Sequence, residues 1–233
     1  GFKHVVFDDI AALDAAVDSS VAAVLLEPVQ GEGGVIPASQ EYMKFAQKIC
    51  TERGVLLMID EVQTGYGRTG TWFGFEHYGI SPDVVIMAKA MGNGMPIGGI
   101  WAKKEVAAVF KPGDHGSTFS GTAIATSAAR ATIKEMQRLN APQMAVDKGA
   151  LLTSLVQAIP QVVSVRGRGL LLGVELADGI DAKDIQLQLL KNGLVTNAVT
   201  GTALRLAPPL TVTPDEIREA VAIIAAVLKG VQS

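Results

Sequence analysis

Short apolar runs alternate with amphipathic stretches through the first two thirds of the chain. The runs at residues 21–26, 55–59 and 84–87 are continuous and rich in β-branched residues, which is typical of strands buried on both faces of a parallel sheet. Short buried helices are the alternative that this pattern alone leaves open. Residues 39–52 have apolar positions about 3.6 residues apart, and Ser39 can cap the first turn, which predicts a helix. Strand–helix–strand repetition predicts an α/β fold with a doubly wound, mainly parallel sheet.

The pattern changes near residue 140, where Leu139, Asn140, Ala141 and Pro142 interrupt the helical spacing. Beyond this point the sequence predicts helices at residues 144–159, after Asp181 and at 214–228, with strands around 166–169, at 194–197 and at 203–206. Mixed short strands and helices indicate a smaller α+β domain. We therefore predict a partial large domain over residues 1–140 and a small C-terminal domain over residues 141–233.

Composition narrows the function classes. Hydrophobic residues make up 48% of the chain and the net charge is −3, which excludes a disordered chain and disfavours nucleic acid or an anionic membrane as a partner. The single cysteine and three scattered histidines predict no disulfide framework and no metal site. The most apolar run, at residues 220–228, is too short for a membrane span, and the first residues have no apolar signal core, so we expect a cytoplasmic protein.

Polar residues follow the three apolar runs of the first part. Asp60 comes directly after the second run, and Lys89 follows the third. Ligands of open α/β sheets bind at the carboxyl ends of strands, and charged groups there are costly unless they are paired or used. Two interpretations stay open from position alone: a structural Asp60–Lys89 ion pair, or a reactive pair in a ligand site.

Longer motifs resolve this choice. The segments EPVQGEGGVIP, MIDEVQTGYGRTG, PDVVIMAKAMGNGMPIGG, HGSTFSG, VRGRGLLLGVEL and LRLAPPL occur in this order along the chain. Together they resemble the class III (subgroup II) pyridoxal-phosphate-dependent aminotransferases, and within that family they look most like acetylornithine aminotransferases. The resemblance implies the aspartate aminotransferase-like fold, fold type I, with pyridoxal 5'-phosphate as cofactor.

By resemblance, five residues serve the cofactor. Lys89 is the lysine that forms the Schiff base and then moves a proton, a role that needs an unprotonated amine. Asp60 keeps the pyridine nitrogen protonated, so that the cofactor can accept electrons. Gln63 bonds the phenolic oxygen, Val62 packs on the ring, and Thr118 binds the phosphate across a dimer interface. Without the resemblance, Val62 is equally consistent with a core valine and Thr118 with an ordinary loop residue.

Two further residues are implied to bind the substrate. Arg205 grips a substrate carboxylate, and Glu32 pairs with Arg205 in one half-reaction and leaves when 2-oxoglutarate binds. An ordinary salt bridge is the open alternative. The implied function is ping-pong transamination of N-acetylornithine with 2-oxoglutarate in arginine biosynthesis, by a homodimer. Ornithine or 4-aminobutyrate as donor is one alternative, and an inactive fragment with a purely structural role is another.

The resemblance also has limits along the chain. It begins partway through the family's sequence, so the phosphate-cradling loop, the ring-stacking aromatic residue and an arginine for the donor carboxylate have no counterpart here. FSGTAIATSAA stands where relatives have Gly-Asn-Pro after the threonine. We therefore expect this chain alone to bind the cofactor weakly, since charge-assisted contacts to a phosphate are lost. Arg68 is expected to fix a loop, and Gly167 and Gly169 are expected to be turn or bulge glycines.

Overall fold

A computed structural model describes residues 1–230 of the chain. The strands are β1 (Ala23–Leu26), β2 (Val29–Gln30), β3 (Ile36–Pro37), β4 (Leu56–Asp60), β5 (Val84–Met87), β6 (Gly99–Ala102), β7 (Val162–Arg168), β8 (Leu171–Leu176), β9 (Asn197–Ala198) and β10 (Ala203–Leu206). The helices are α1 (Ile10–Ala16), α2 (Gln40–Arg53), α3 (Lys104–Ala107), α4 (Ala123–Leu139), α5 (Ala141–Gln157), α6 (Ala182–Lys191) and α7 (Pro214–Gly230). Two 3₁₀ turns, Gly74–Tyr78 and Lys89–Met91, complete the secondary structure.

The chain forms two compact units that interleave in sequence. The first unit contains Gly1–Pro28, Ala38–Tyr66 and Phe73–Leu139. The second contains Val29–Pro37, Gly67–Trp72 and the chain from Asn140 onward. A single division into domains of residues 1–140 and 141–233 stays a prediction, and it does not anticipate that the two short segments belong with the later part of the chain.

The first unit is built on a four-stranded sheet in the order β1-β4-β5-β6. Strands β1, β4 and β5 are parallel, and β6 pairs with β5 in the antiparallel direction. The predicted α/β fold with a mainly parallel sheet is therefore confirmed. Helix α2 begins where the sequence predicts: the Ser39 side chain accepts a hydrogen bond from the Tyr42 N–H, and Gly54 ends the helix in a left-handed conformation.

The two faces of this sheet are covered unequally. Leu57 and Ile59 point into a core that includes Tyr42 and Met43 of α2, and all four are fully buried or nearly so. On the opposite face, Leu25 is 50% exposed and Ile100 is 70% exposed. The prediction that these strands are buried on both faces is thus wrong for the described residues, because α2 and its neighbours cover one face only.

The second unit contains an antiparallel sheet in the order β7-β8-β10-β9, with its core formed against α5, α6 and α7. Strand β9 lies at Asn197–Ala198, later than predicted. Helix α5 begins at Ala141, earlier than predicted, because Pro142 occupies the first turn, where a missing N–H costs nothing. Only Asn140, with a backbone φ of 51°, separates α4 from α5 in sequence.

Candidate cofactor and substrate site

Asp60 is the last residue of β4 and begins a tight turn. Its carboxylate accepts a hydrogen bond of 2.9 Å from the Val62 N–H. The Cα partner of Asp60 is Ile86 in β5, so the carboxylate lies where two parallel strands end side by side. Asp60, Val62 and Gln63 are all half-buried. The structure therefore presents three of the predicted cofactor residues on one turn, which we call the cofactor turn (residues 60–65).

Lys89 follows the neighbouring strand β5 and has an unusual backbone. Its φ of 45° places a non-glycine residue in the left-handed region at the start of a 3₁₀ turn. Such conformations cost of order 1–3 kcal/mol and cluster at functional sites. The Lys89 side chain is exposed. Among residues 1–230, Asp60 and Lys89 form no ion pair with each other.

A glycine fixes the loop that follows Lys89. A methyl group at Gly92 would lie 2.3 Å from the Met95 carbonyl oxygen and 2.6 Å from Cγ2 of Ile97. Both distances are far inside van der Waals contact, so no larger side chain fits without a backbone shift. The close approach holds the 3₁₀ turn that begins at Lys89 against the chain leading into β6.

Glu61 is a residue that sequence reasoning missed. Its side chain is fully buried, with 0% exposure, and both carboxylate oxygens accept hydrogen bonds. Oε2 accepts from the Thr64 hydroxyl and from the Gly74 N–H, and Oε1 accepts from the Phe75 N–H. Burial raises the pKa of Glu61 above its ordinary value, against the effect of these hydrogen bonds. The sequence does contain a signal for this burial. Alternate side chains of β4 face the core, and the alternation places Glu61, two residues after Ile59, on the core face.

Thr118 lies in an exposed part of the first unit. Every residue from 107 to 121 is exposed. The structure therefore shows no enclosed anion site around Thr118 within the described residues of this chain. Its predicted phosphate contact across a dimer interface stays a prediction.

Within the second unit, the structure brings Glu32 and Arg205 together. Glu32 lies in the loop joining β2 and β3, and Arg205 lies in β10. Arg205 Nη1 is 2.6 Å from Glu32 Oε1 and also donates to the Gly31 carbonyl oxygen at 3.0 Å. The Arg205 side chain is 14% exposed, whereas that of Glu32 is 67% exposed. The cation is therefore held in place while its partner is open to replacement by another carboxylate.

The hairpin that carries Glu32 is itself anchored. Arg166 Nε donates to the Gly34 carbonyl oxygen at 2.8 Å, and Arg166 Nη1 bonds Glu175 Oε2 at 2.7 Å. Gly34 and Val35 both have positive φ, which marks a constrained loop. Hydrogen bonds from Thr202 and then from Arg166 lower the pKa of Glu175. A cavity of about 220 Å³ lies beside Arg205, lined largely by apolar residues such as Leu152 and Ile224.

Arg68 fixes a loop, as the sequence indicates. Its Nη1 donates to the carbonyl oxygens of Leu170 at 3.0 Å and Pro208 at 2.6 Å. Burial lowers the pKa of Arg68 to about 10. Gly167 and Gly169 have positive φ, and a methyl at Gly169 would lie 2.6 Å from the Arg68 carbonyl oxygen. Gly169 is therefore a turn glycine, as predicted, whereas Gly167 lies within β7 with a positive φ.

Residues 1–230 contain neither a metal-ligand cluster nor a membrane-spanning helix. No group of three or more histidine, cysteine or acidic side chains is placed to hold a metal ion. No helix in this part of the chain has both the length and the hydropathy needed to cross a membrane.

The family profile and the relatives that match this chain indicate the same protein family. The sequence profile of the aminotransferase class-III family matches residues 2–228. An acetylornithine aminotransferase from Caldanaerobacter subterraneus is 45% identical over 100% of this chain and 60% of its own length. One from Bacillus subtilis is 46% identical over 95% of this chain and 58% of its own length.

Solved structures agree with the sequence comparison. The crystal structure of ornithine aminotransferase from Toxoplasma gondii superimposes with a TM-score of 0.93 and 35% identity, covering 100% of this chain and 57% of that one. The chain spans about 60% of the length of the curated relatives that it matches. The family inferred from the motifs is confirmed, with the pyridoxal-phosphate-dependent transferase fold that it implies. The chain belongs to the class-III aminotransferases, a pyridoxal-phosphate-dependent family.

Proposed function

We propose that this chain binds pyridoxal phosphate through Lys89 and that Asp60, Val62 and Gln63 hold its ring. The observation that carries the proposal is that Asp60 and Lys89 follow adjacent parallel strands, with Lys89 in a left-handed backbone conformation. The residues present fit the cofactor, because an acidic group and a primary amine at one sheet edge match its ring nitrogen and its aldehyde.

Each side chain then has a distinct task. When bound, the cofactor supplies an electron sink for the carbon that bears the substrate amine. The Asp60 carboxylate favours a proton on the ring nitrogen by its charge. With the cofactor bound, the Lys89 amine would be the group that moves the proton of the substrate carbon bearing the amine. Val62 covers a ring face against water, and Gln63 orients the ring by a hydrogen bond.

N-acetylornithine as amino donor and 2-oxoglutarate as acceptor are the proposed substrates. Support comes from the relatives named acetylornithine aminotransferase at 45% and 46% identity. Arg205 can bind a substrate carboxylate in a two-pronged geometry, and the exposed Glu32 can yield its place to the α-carboxylate of 2-oxoglutarate. One site thus accepts in turn a donor whose reacting carbon bears no carboxylate and an acceptor whose reacting carbon bears one.

Ornithine is the second candidate donor. The T. gondii ornithine aminotransferase structure, with its TM-score of 0.93, favours it, and 4-aminobutyrate is a further alternative from the resemblance. With acetylornithine as donor, the reaction belongs to arginine biosynthesis in the cytoplasm. The proposed assembly is a homodimer, in which Thr118 reaches the phosphate of the neighbouring subunit.

A donor comparison tests this assignment. The purified chain is incubated with saturating pyridoxal phosphate, 2-oxoglutarate and each of the three donors, and glutamate is measured. We expect glutamate from acetylornithine above the other donors, and none from Lys89→Ala. Faster turnover of ornithine would transfer the assignment to that donor. No glutamate from any donor, from a chain that is folded, would favour the purely structural role.

A further inference from the structure

We propose that Glu61 is the positioning residue of the cofactor turn: its buried carboxylate fixes the face of the sheet on which Asp60 is presented. The inference rests on the proposed cofactor function of Asp60. Glu61 itself touches neither cofactor nor substrate in this scheme, and it acts through the backbone that carries Asp60, Val62 and Gln63.

Glu61 holds the cofactor turn at three points. Its N–H donates to the Ile86 carbonyl oxygen at 2.9 Å, which extends the β4–β5 pairing one residue beyond Asp60. Its own carbonyl oxygen accepts from the Gly65 N–H at 2.9 Å and closes the turn. Its carboxylate accepts from the N–H groups of Gly74 and Phe75, each at 2.8 Å. The turn is therefore tied at both ends and fastened to a segment more than ten residues away.

The strand geometry connects this anchor to Asp60. Consecutive side chains of a strand point to opposite faces, so a shift of one residue exchanges the two faces. Ile59 and Glu61 are both 0% exposed on the core face, and Asp60 between them points to the other face and is half-buried. A carboxylate is the costliest group to bury without partners. The three donors that meet Glu61 therefore determine which of the two adjacent acids goes inside and which faces the ligand.

The donors require a carboxylate rather than an amide. The Gly74 N–H points at Oε2 and the Phe75 N–H points at Oε1, so each oxygen already faces a backbone donor. A glutamine has one acceptor oxygen, and its NH₂ group would oppose one of the two N–H groups. The Thr64 hydroxyl is different, because it can rotate and donate or accept. Glu61→Gln should therefore loosen the turn more than loss of the Thr64 hydroxyl does.

The test compares Glu61→Gln with Thr64→Val, a matched change in the same buried cluster that keeps both backbone hydrogen bonds. Amide hydrogen exchange is followed by NMR at Val62, Gly74 and Phe75 in the cofactor-free chain. Pyridoxal phosphate affinity is measured by absorbance. We expect Glu61→Gln to accelerate exchange at Val62, whose N–H donates to Asp60, and to weaken cofactor binding about tenfold, the size of one lost charged hydrogen bond. Thr64→Val should change both measures less than Glu61→Gln does, because both backbone hydrogen bonds to Glu61 remain.

The outcomes separate this inference from the proposed function. Glu61→Gln with unchanged Val62 exchange and unchanged cofactor affinity, even at a lower melting temperature, would overturn the positioning role and leave a purely structural one. If Lys89→Ala and wild type bind pyridoxal phosphate equally, the proposed function fails, and the Val62 exchange rates alone then decide whether Glu61 positions Asp60. An effect of Thr64→Val as large as that of Glu61→Gln would also contradict the inference.

Discussion

At the scale of single residues, the backbone around Lys89 supports the proposal that it is the lysine that binds the cofactor. Lys89 is held in a left-handed conformation that a free peptide rarely adopts, and the surrounding loop must maintain it. The Gly92 N–H donates to the Lys89 carbonyl oxygen at 3.1 Å, and Gly92 has no side chain that would collide with the Met95 carbonyl oxygen. The strained backbone at Lys89 and the close approach at Gly92 therefore belong to one loop.

Gly92→Ala should disturb the loop that follows Lys89. The added methyl would lie 2.3 Å from a carbonyl oxygen, so the loop must shift, and we expect a loss of about 1–3 kcal/mol in the free energy of unfolding. Urea denaturation measures this change. Gly116→Ala is the matched control, because nothing lies within 4 Å of its added methyl and we expect no comparable loss. Equal effects of the two substitutions would show that the close approach at Gly92 is unimportant.

Cys50 offers a second prediction at this scale. The thiol is buried in α2, and burial raises its pKa to about 11, so the reactive thiolate is scarce at pH 8. The native chain should therefore resist a thiol reagent at pH 8 and react promptly in denaturing urea. Reaction of the native chain at the rate of the unfolded chain would contradict the burial of Cys50.

At the scale of elements, the hairpin of β2 and β3 depends on distant strands for its shape. Arg166 in β7 bonds the Gly34 carbonyl oxygen and is itself oriented by Glu175 in β8. Val29 and Val35 pack on Leu171 in a small separate cluster. Glu32 can meet Arg205 because these contacts hold the hairpin against the antiparallel sheet of its own unit.

This anchoring should weaken in acid. The pKa of Glu175 is lowered below its ordinary value of 4.5 in the folded chain, first by Thr202 and then by Arg166. A lowered carboxyl pKa stabilises the fold above the unfolded value, and that contribution is lost as the pH falls through the folded value. We expect amide exchange at Ile36, corrected for its intrinsic pH dependence, to accelerate below about pH 4.5. In Glu175→Gln this acid-dependent step should be absent, and its persistence would assign the step to another group.

For the whole molecule, secondary structure could be predicted from the sequence wherever the local hydrophobic pattern matches the burial in the fold. Strand β5, helix α2 and the start of α7 follow from apolar runs and caps that need no knowledge of distant residues. The hairpin of β2 and β3 could not be predicted, because its strands have two residues each and pack on a strand of their own unit that is distant in sequence. Glu61 was missed for a similar reason: its donors at Gly74 and Phe75 are brought close only by the fold.

The candidate site also contains residues that could be placed from the local sequence and residues that could not. Asp60 and Lys89 could be placed at neighbouring strand ends because parallel strands end at one edge. The pairing of Glu32 with Arg205 depended on the family resemblance, since 173 positions separate them in sequence. The half-open face of the first sheet, with Ile100 at 70% exposure, could not be read from its continuous apolar runs, which do not record what covers them.

The attachment of pyridoxal phosphate to Lys89 is the most direct test of the whole assignment. The chain is mixed with pyridoxal phosphate and reduced with borohydride, and the labelled lysine is located by peptide mass mapping. Lys103, which is paired with Asp83 at 2.8 Å, serves as an internal reference on the same unit. We predict label confined to Lys89, lost in Lys89→Ala and reduced in Asp60→Asn. Label spread over Lys103 and other surface lysines, with Lys89 no more modified than the rest, would contradict a cofactor site at these strand ends.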